Sequence, residues 1–229
     1  MMDSDFTPIF EPLLLSLEVI GVSAVLFLVI GTPLAFVLAK EKLSLKWLLD
    51  AIVTLPLIFP PIAIGFFLLL VLGREGWFGA WLYRLDITIV FSFTGIVIAA
   101  FVAGLPLMVK PLQAAIENFP KIVKEASYVS GKSEMFTFLF VVLPSLKNSL
   151  FVALLIATAR ALGEVGITLM LGGNIIGKTD TVSLAIYNAV FDGDYDLAMM
   201  LSGVLVGISL IFFMSLNLLQ KRDKKLENR

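Results

Sequence analysis

Runs of 20 or more apolar residues, almost free of charge, set the strongest limit on what this chain can fold into. As helix, about 20 such residues match the hydrocarbon thickness of a bilayer. Five runs are read from the sequence, over 13–39, 47–72, 87–109, 145–171 and 197–219. They are apolar on nearly every side, unlike the one-sided helices of a soluble domain. Composition agrees: 59% of the 229 residues are hydrophobic, 15% are charged, and mean hydropathy is +0.99. Ordinary globular chains hold roughly 45–50% apolar and about 25% charged residues. The expected fold class is an all-α integral membrane protein with five transmembrane helices. It forms one domain over 1–220 with a charged tail at 221–229, which should fray. No small-residue cleavage site follows the first run, so it is read as a retained span rather than a signal peptide. The segment 181–191 is helical in pattern but half a bilayer long, and reads as a short outer helix or a re-entrant piece.

Charge orients these spans. Lys40, Lys42 and Lys46 fall between the first two; Lys110, Lys121, Lys124, Lys132 and Lys147 between the third and fourth; Lys221, Arg222, Lys224, Lys225 and Arg229 in the tail. The opposite side holds only Arg74, Arg84 and Lys178, together with Asp3, Asp5, Glu11, Glu75, Asp86, Asp180, Asp192, Asp194 and Asp196. The positive-inside rule puts the N-terminus outside and the C-terminus in the cytoplasm. An odd number of spans requires the same arrangement.

The residue inventory excludes several functions. A net charge of −1 offers no basic face for nucleic acid. With no Cys and no His, disulfides, thiol nucleophiles, structural zinc and imidazole acid–base chemistry are unavailable. No catalytic residue, cofactor site or metal site is therefore expected. An intramembrane enzyme has almost no candidate groups. An autonomous channel or secondary carrier would call for an internal repeat or a pair of broken helices, and neither is legible. Gly172-Gly173-Asn174-Ile175-Ile176-Gly177-Lys178-Thr179 matches the G-x-x-x-x-G-K-[ST] phosphate loop literally. A real one follows a buried strand, whereas this follows a membrane span, so it is read as a glycine-rich turn between helices.

Two places remain where polar chemistry could act. Arg160 lies near the middle of the fourth span with Glu164 one turn later, so the two can bridge along one face. A mid-membrane charge costs about 2.5–3.5 kcal/mol to insert and faces protein or water. The pair is either an internal staple or the lining of an ion path. Pro56, Pro60 and Pro61 in the second span free carbonyls one turn back, tolerated only inside protein or along a wet cavity. A packing kink accounts for them as well. The second place is the cytoplasmic loop 117–144. Ile122, Ala126 and Val129 share a helical face, with Lys121, Lys124 and Glu125 off it. Pro120 can start this helix, and Gly131, in a left-handed conformation, can end it. Such a helix can lie on lipid, pack on its own spans or dock in a partner's groove.

The loop is also where the chain resembles a known family. Glu125-Ala126-Ser127, then Gly131, then Val141-Val142-Leu143-Pro144 resembles the EAA loop of ABC-importer permeases, with Ser127 and Val141 departing mildly from its pattern. Leu55–Gly65, Gly104–Val109, Ala159–Gly166 and Ile176–Tyr187 resemble the molybdate permeases of that family, along almost the whole chain. Sulfate permeases are close cousins that usually carry an additional N-terminal span. The resemblance implies a type I ABC importer fold and a homodimer with its pathway on the two-fold axis. It implies two copies of a separate ATPase at the cytoplasmic face and an extracytoplasmic oxyanion-binding protein. It implies molybdate as substrate, with tungstate or sulfate as the alternative. Glu125, Ala126, Ser127 and Gly131 would couple to the ATPase, and Leu143 and Pro144 would begin the next span. Pro56, Pro60, Pro61, Arg160 and Glu164 are the candidate pathway residues.

Overall fold

Proline and glycine decide which apolar runs stay whole. The computed structural model describes residues 7–40 and 44–227, and among them it is helical with no strand. Asp3, Asp5, Lys42 and Arg229, used above to orient the chain, lie outside them. Helix α1 runs through Thr7–Leu26, a π-helical turn at Phe27–Gly31 and Thr32–Leu38. The second run was expected to be one kinked span, but it is two helices, α2 (Lys46–Ile58) and α3 (Pro61–Leu72). The residue before a proline is driven out of the helical region. Here that applies twice, and Phe59 (ψ 147°) and Pro60 (ψ 129°) are both extended. Pro56 is accommodated inside α2, and Pro61 opens α3 where its missing N–H costs nothing.

A five-residue helix, α4 (Gly79–Tyr83), follows, and then α5 (Phe93–Glu117). The third span therefore begins six residues later and ends eight later than expected. Ser92 sets its start: its backbone is extended and its hydroxyl accepts the Gly95 N–H. Lys110 consequently lies within a helix rather than a loop. Next come α6 (Lys121–Val129) and α7 (Glu134–Ser145), the latter containing a second π-helical turn at Phe138–Val142. Helix α8 (Lys147–Leu162) departs from α7 at 79°. The fourth run also divides, because Gly163-Glu164-Val165 separates α8 from α9 (Gly166–Gly172). Then come α10 (Val182–Asp192) and α11 (Tyr195–Glu227), which continues as helix through most of the tail expected to fray. Among the described residues, three helices are long and apolar enough to cross a membrane, or four if α7 and α8 are taken as one bent span.

Helix α5 is the hub. Its small residues let α1 and α8 approach closely: a Cβ on Gly104 would strike the Phe27 ring and the Ala157 carbonyl. Phe27, Ala100, Met108, Leu112, Ala153 and Ala157 form the core at this seam. The breaks lie side by side. A Cβ on Gly166 would come within 2.9 Å of Ile62 N and of Pro61 Cβ, and one on Gly65 within 2.8 Å of Met170 Cβ. Thus α3 and α9 pack backbone to backbone where their parent spans come apart. Exposed Trp77 and Trp81 stand near α4, and exposed Trp47 stands at the start of α2. These are the positions aromatic residues favour at the two membrane–water interfaces.

Candidate coupling face and membrane-centre ion pair

Helix α6 is turned the opposite way from an ordinary surface helix. None of its residues is buried. Ile122 is 75% exposed and Val129 89%, with Ala126 between them also exposed. The inward face carries polar groups. Lys124 Nζ donates to the Ile116 carbonyl at 2.8 Å, at the end of α5. The Ser127 and Thr137 hydroxyls are hydrogen-bonded at 2.8 Å, tying α6 to α7. Thr137 is almost fully buried. Its role was not legible in advance; in the sequence Ser127 stood only as a mild departure from the EAA pattern.

The end of α6 is built as the sequence suggests. Gly131 has φ +76°. Lys132 N–H donates to Ser127 O at 3.2 Å and Gly131 N–H to Tyr128 O at 2.9 Å, the bond pair of a Schellman cap. Beyond it the Ser133 hydroxyl accepts the Phe136 N–H and starts α7. A polar cleft of about 820 Å³ opens beside α6, and Glu125 lies on its wall with Lys40, Lys46, Glu117 and Glu134. Ion pairs Lys40–Glu134 (3.0 Å) and Lys46–Glu117 (3.3 Å) join helix ends around it, and Lys110–Asp50 (2.6 Å) joins α5 to α2. Leu143 and Pro144 are not at the head of the next membrane helix. They close α7, just before the 79° turn.

At the second break, Glu164 is 2% exposed and uses both oxygens. Oε2 pairs with Arg160 Nη1 at 2.7 Å, the bridge the i, i+4 spacing suggests. Oε1 accepts the Ile167 N–H at 2.7 Å, capping α9. The carbonyl of Leu162, freed by the same break, is taken by the Ser183 hydroxyl of α10 at 2.8 Å. Two of the backbone groups that the break leaves bare are thus met by side chains. Pro61, Arg160 and Glu164 share the wall of one shallow hollow of about 450 Å³, while Pro56 and Pro60 are not part of it. The broken-helix pair that the sequence did not disclose is therefore present. Its signals were the doubled proline at Pro60-Pro61 and the glycines flanking Glu164.

The glycine-rich segment after α9 is a turn, as read. Helix rather than strand precedes it. The Thr179 hydroxyl, which a phosphate loop would give to a metal, accepts the Ile175 N–H (2.9 Å) and donates to Gly172 O (2.8 Å).

The comparisons with known proteins fit this arrangement. Residues 31–222 match the family described as binding-protein-dependent transport system inner membrane component. The chain belongs to that family. Among individual relatives, the molybdenum transport system permease protein ModB of Azotobacter vinelandii is 36% identical over 203 residues, 88% of this chain and 90% of that one. ModB of Escherichia coli K12 is 35% identical over 184 residues, 80% of each chain. The sulfate transport system permease protein CysT of the same bacterium is 31% identical over 194 residues, 85% of this chain and 70% of that one. This is accordingly a multi-pass membrane permease subunit. The EAA-like segment of this permease runs from α6 to the end of α7, and its Arg–Glu pair lies at the break between α8 and α9.

Proposed function

We propose that the chain is the membrane subunit of an ABC importer that carries a tetrahedral oxyanion, molybdate, into the cytoplasm, with ATP hydrolysed by a separate subunit. One observation carries the coupling part of this reading: α6 spends Lys124 and Ser127 on its own fold and leaves Ile122, Ala126 and Val129 bare. A helix so placed is suited to a partner's apolar groove. Glu125, Ala126, Ser127 and Gly131 then form the coupling element, with Leu143 and Pro144 at the far end of α7 carrying its movement to the 79° turn. The N-terminus lies outside and the C-terminus in the cytoplasm, so the ion pairs around α6 are on the cytoplasmic side.

Five spans follow if α2 with α3, and α8 with α9, each cross the membrane as broken helices. Arg160 supports a homodimer. About a third of its side chain remains exposed in a single copy, and a mid-membrane guanidinium faces protein or water rather than lipid. A second copy across that hollow would enclose it with Pro61 and Glu164 along the two-fold axis, with Pro56 and Pro60 lining the approach. Two ATPases dock below, and an oxyanion-binding protein delivers substrate above. Molybdate is favoured because ModB chains are matched over up to 90% of their length. The CysT likeness makes sulfate the second reading.

The test is uptake into liposomes holding the full assembly of chain, ATPase and binding protein. Molybdate should enter only with ATP on the ATPase side. Sulfate uptake without molybdate uptake would shift the substrate, and uptake with the ATPase omitted would sink the importer reading.

A further inference from the structure

The end of the molecule opposite α6 is poor in positive charge, with only Arg74, Arg84 and Lys178. Two of those three converge on one pocket of about 480 Å³. Arg74 follows α3, Lys178 comes from the glycine-rich turn after α9, and Thr88 also lines the pocket. Neither cation has an ion-pair partner among the described residues. The Arg74 guanidinium stacks on the Tyr83 ring at 4.6 Å, which orients it and leaves its edge donors unused by that contact.

The walls of the pocket are fixed. Phe91 N–H donates to Leu171 O at 2.7 Å, clamping the 87–91 segment to the end of α9. Lys178 rides on a turn secured by Lys178 N–H to Ile175 O (3.0 Å) and by Gly177 N–H to Asp180 Oδ1 (2.8 Å). That second bond occupies one oxygen of Asp180; Glu11 lies against the same turn, 4.0 Å from where a Cβ on Gly177 would go, and none of Asp180, Glu11 and Glu75 lines the pocket. On the other side Leu69 and Leu72 give it an apolar wall.

We propose that this pocket is an anion site that takes a tetrahedral oxyanion group, held by Arg74 and Lys178 with Thr88 as a further donor. Two cations, one of them oriented by a ring, a hydroxyl and no carboxylate in the lining suit the spread charge of a phosphate-like group better than that of a metal or a neutral solute. The literal phosphate-loop match thereby finds its use: Lys178 serves an anion, but one at the opposite end of the molecule from the face proposed for the ATPase. The group can come from an anionic phospholipid, its chains along Leu69 and Leu72, or from a free tetrahedral dianion. Placing the site outside the cell rests on the proposed orientation; the binding itself does not.

The experiment uses the full chain in neutral detergent. One arm counts retained phosphatidylglycerol against phosphatidylcholine by native mass spectrometry. The other titrates sodium molybdate and sodium sulfate calorimetrically into delipidated protein. Wild type should bind phosphatidylglycerol or the free dianions, and the Arg74→Gln/Lys178→Gln variant should bind about tenfold more weakly. Arg84→Gln, outside the pocket, should match wild type, and Arg74→Lys should keep most of the binding. Loss confined to the lipid arm identifies a headgroup site, and loss confined to the titration identifies a free-anion site. Binding by wild type in neither arm, unchanged binding by the double variant, or equal loss with Arg84→Gln would overturn the proposal. Gel filtration and a melting curve of each variant separate lost binding from lost fold.

Discussion

Gly104 and Gly131 are the same residue put to opposite uses. At the α1–α5–α8 seam, Gly104 is required by its surroundings, since any side chain would strike Phe27 and the Ala157 carbonyl. At the end of α6, nothing lies within 4 Å of where a Cβ on Gly131 would go, and only φ +76° calls for glycine. One region is defined by what fills it and the other by what it leaves uncovered. Changes in the seam should therefore be felt as folding, and changes around α6 as partner binding with the fold intact.

Gly104→Leu gives the largest effect, because backbone as well as side chain must yield; no monodisperse protein should be recovered after detergent extraction. Recovery at wild-type levels would show that the seam can open. Glu164→Ala comes next. It strips Arg160 of its partner and α9 of its cap, and breaking a buried pair costs about 3 kcal/mol. Thermal melting in detergent should show a fall of several degrees, while any protein that survives should still bind the ATPase.

Ile122→Asp should reverse that pattern. Its melting should be unchanged, since Ile122 supports nothing in its own chain, while ATPase pull-down should fall about tenfold. A melting loss without a docking loss would erase the distinction between the regions. Gly131→Ala is milder. A Cβ in the left-handed region costs about 1 kcal/mol, enough for a few-fold loss of docking and of transport-stimulated hydrolysis.

The smallest effect lies in the outer turn. Burial raises the Asp180 carboxyl above its ordinary 3.8, against the pull of its backbone hydrogen bonds, and Glu11 adds to the rise. The folded state therefore binds this proton more tightly than the unfolded chain. Stability contributed by the group is lost as pH rises through its folded pKa and regained as pH falls towards 3.8. Melting of wild type relative to Asp180→Asn should gain slightly as pH is lowered towards 4, and an opposite slope would refute the assignment.

The long apolar runs made the helical membrane class legible, because bilayer thickness leaves only a narrow range of lengths. Their interruptions were harder to read. Pro56 sits inside α2, yet Pro60-Pro61 breaks the chain; the difference lies in the doubled restriction on the residues before them, not in hydropathy. The third span was misplaced by eight residues at its end because Lys110 reads as a loop charge until Asp50, 60 positions away, is seen beside it. At α6 the face, the starting proline and the ending glycine were all legible. Which side of the helix points outward was not, since that depends on Thr137 and on the Ile116 carbonyl, contacts no local pattern announces.

The two π-helical turns share a spelling. Phe27-Leu-Val-Ile-Gly31 and Phe138-Leu-Phe-Val-Val142 each begin at a buried phenylalanine and end two residues before a proline, Pro33 and Pro144. In each, the following residue donates back to the phenylalanine carbonyl, five positions earlier. A wide turn is an α-helix with one residue too many, taken up locally so that the faces on either side keep their alignment. It also gives the proline ring room where the carbonyl four positions back would otherwise collide with it. The surplus residue and the proline therefore act as one unit. A deletion of Val29 or Phe140 would leave both flanking faces in register, and would bring the proline ring against the carbonyl four positions back, as at Pro106 and Pro111 inside α5.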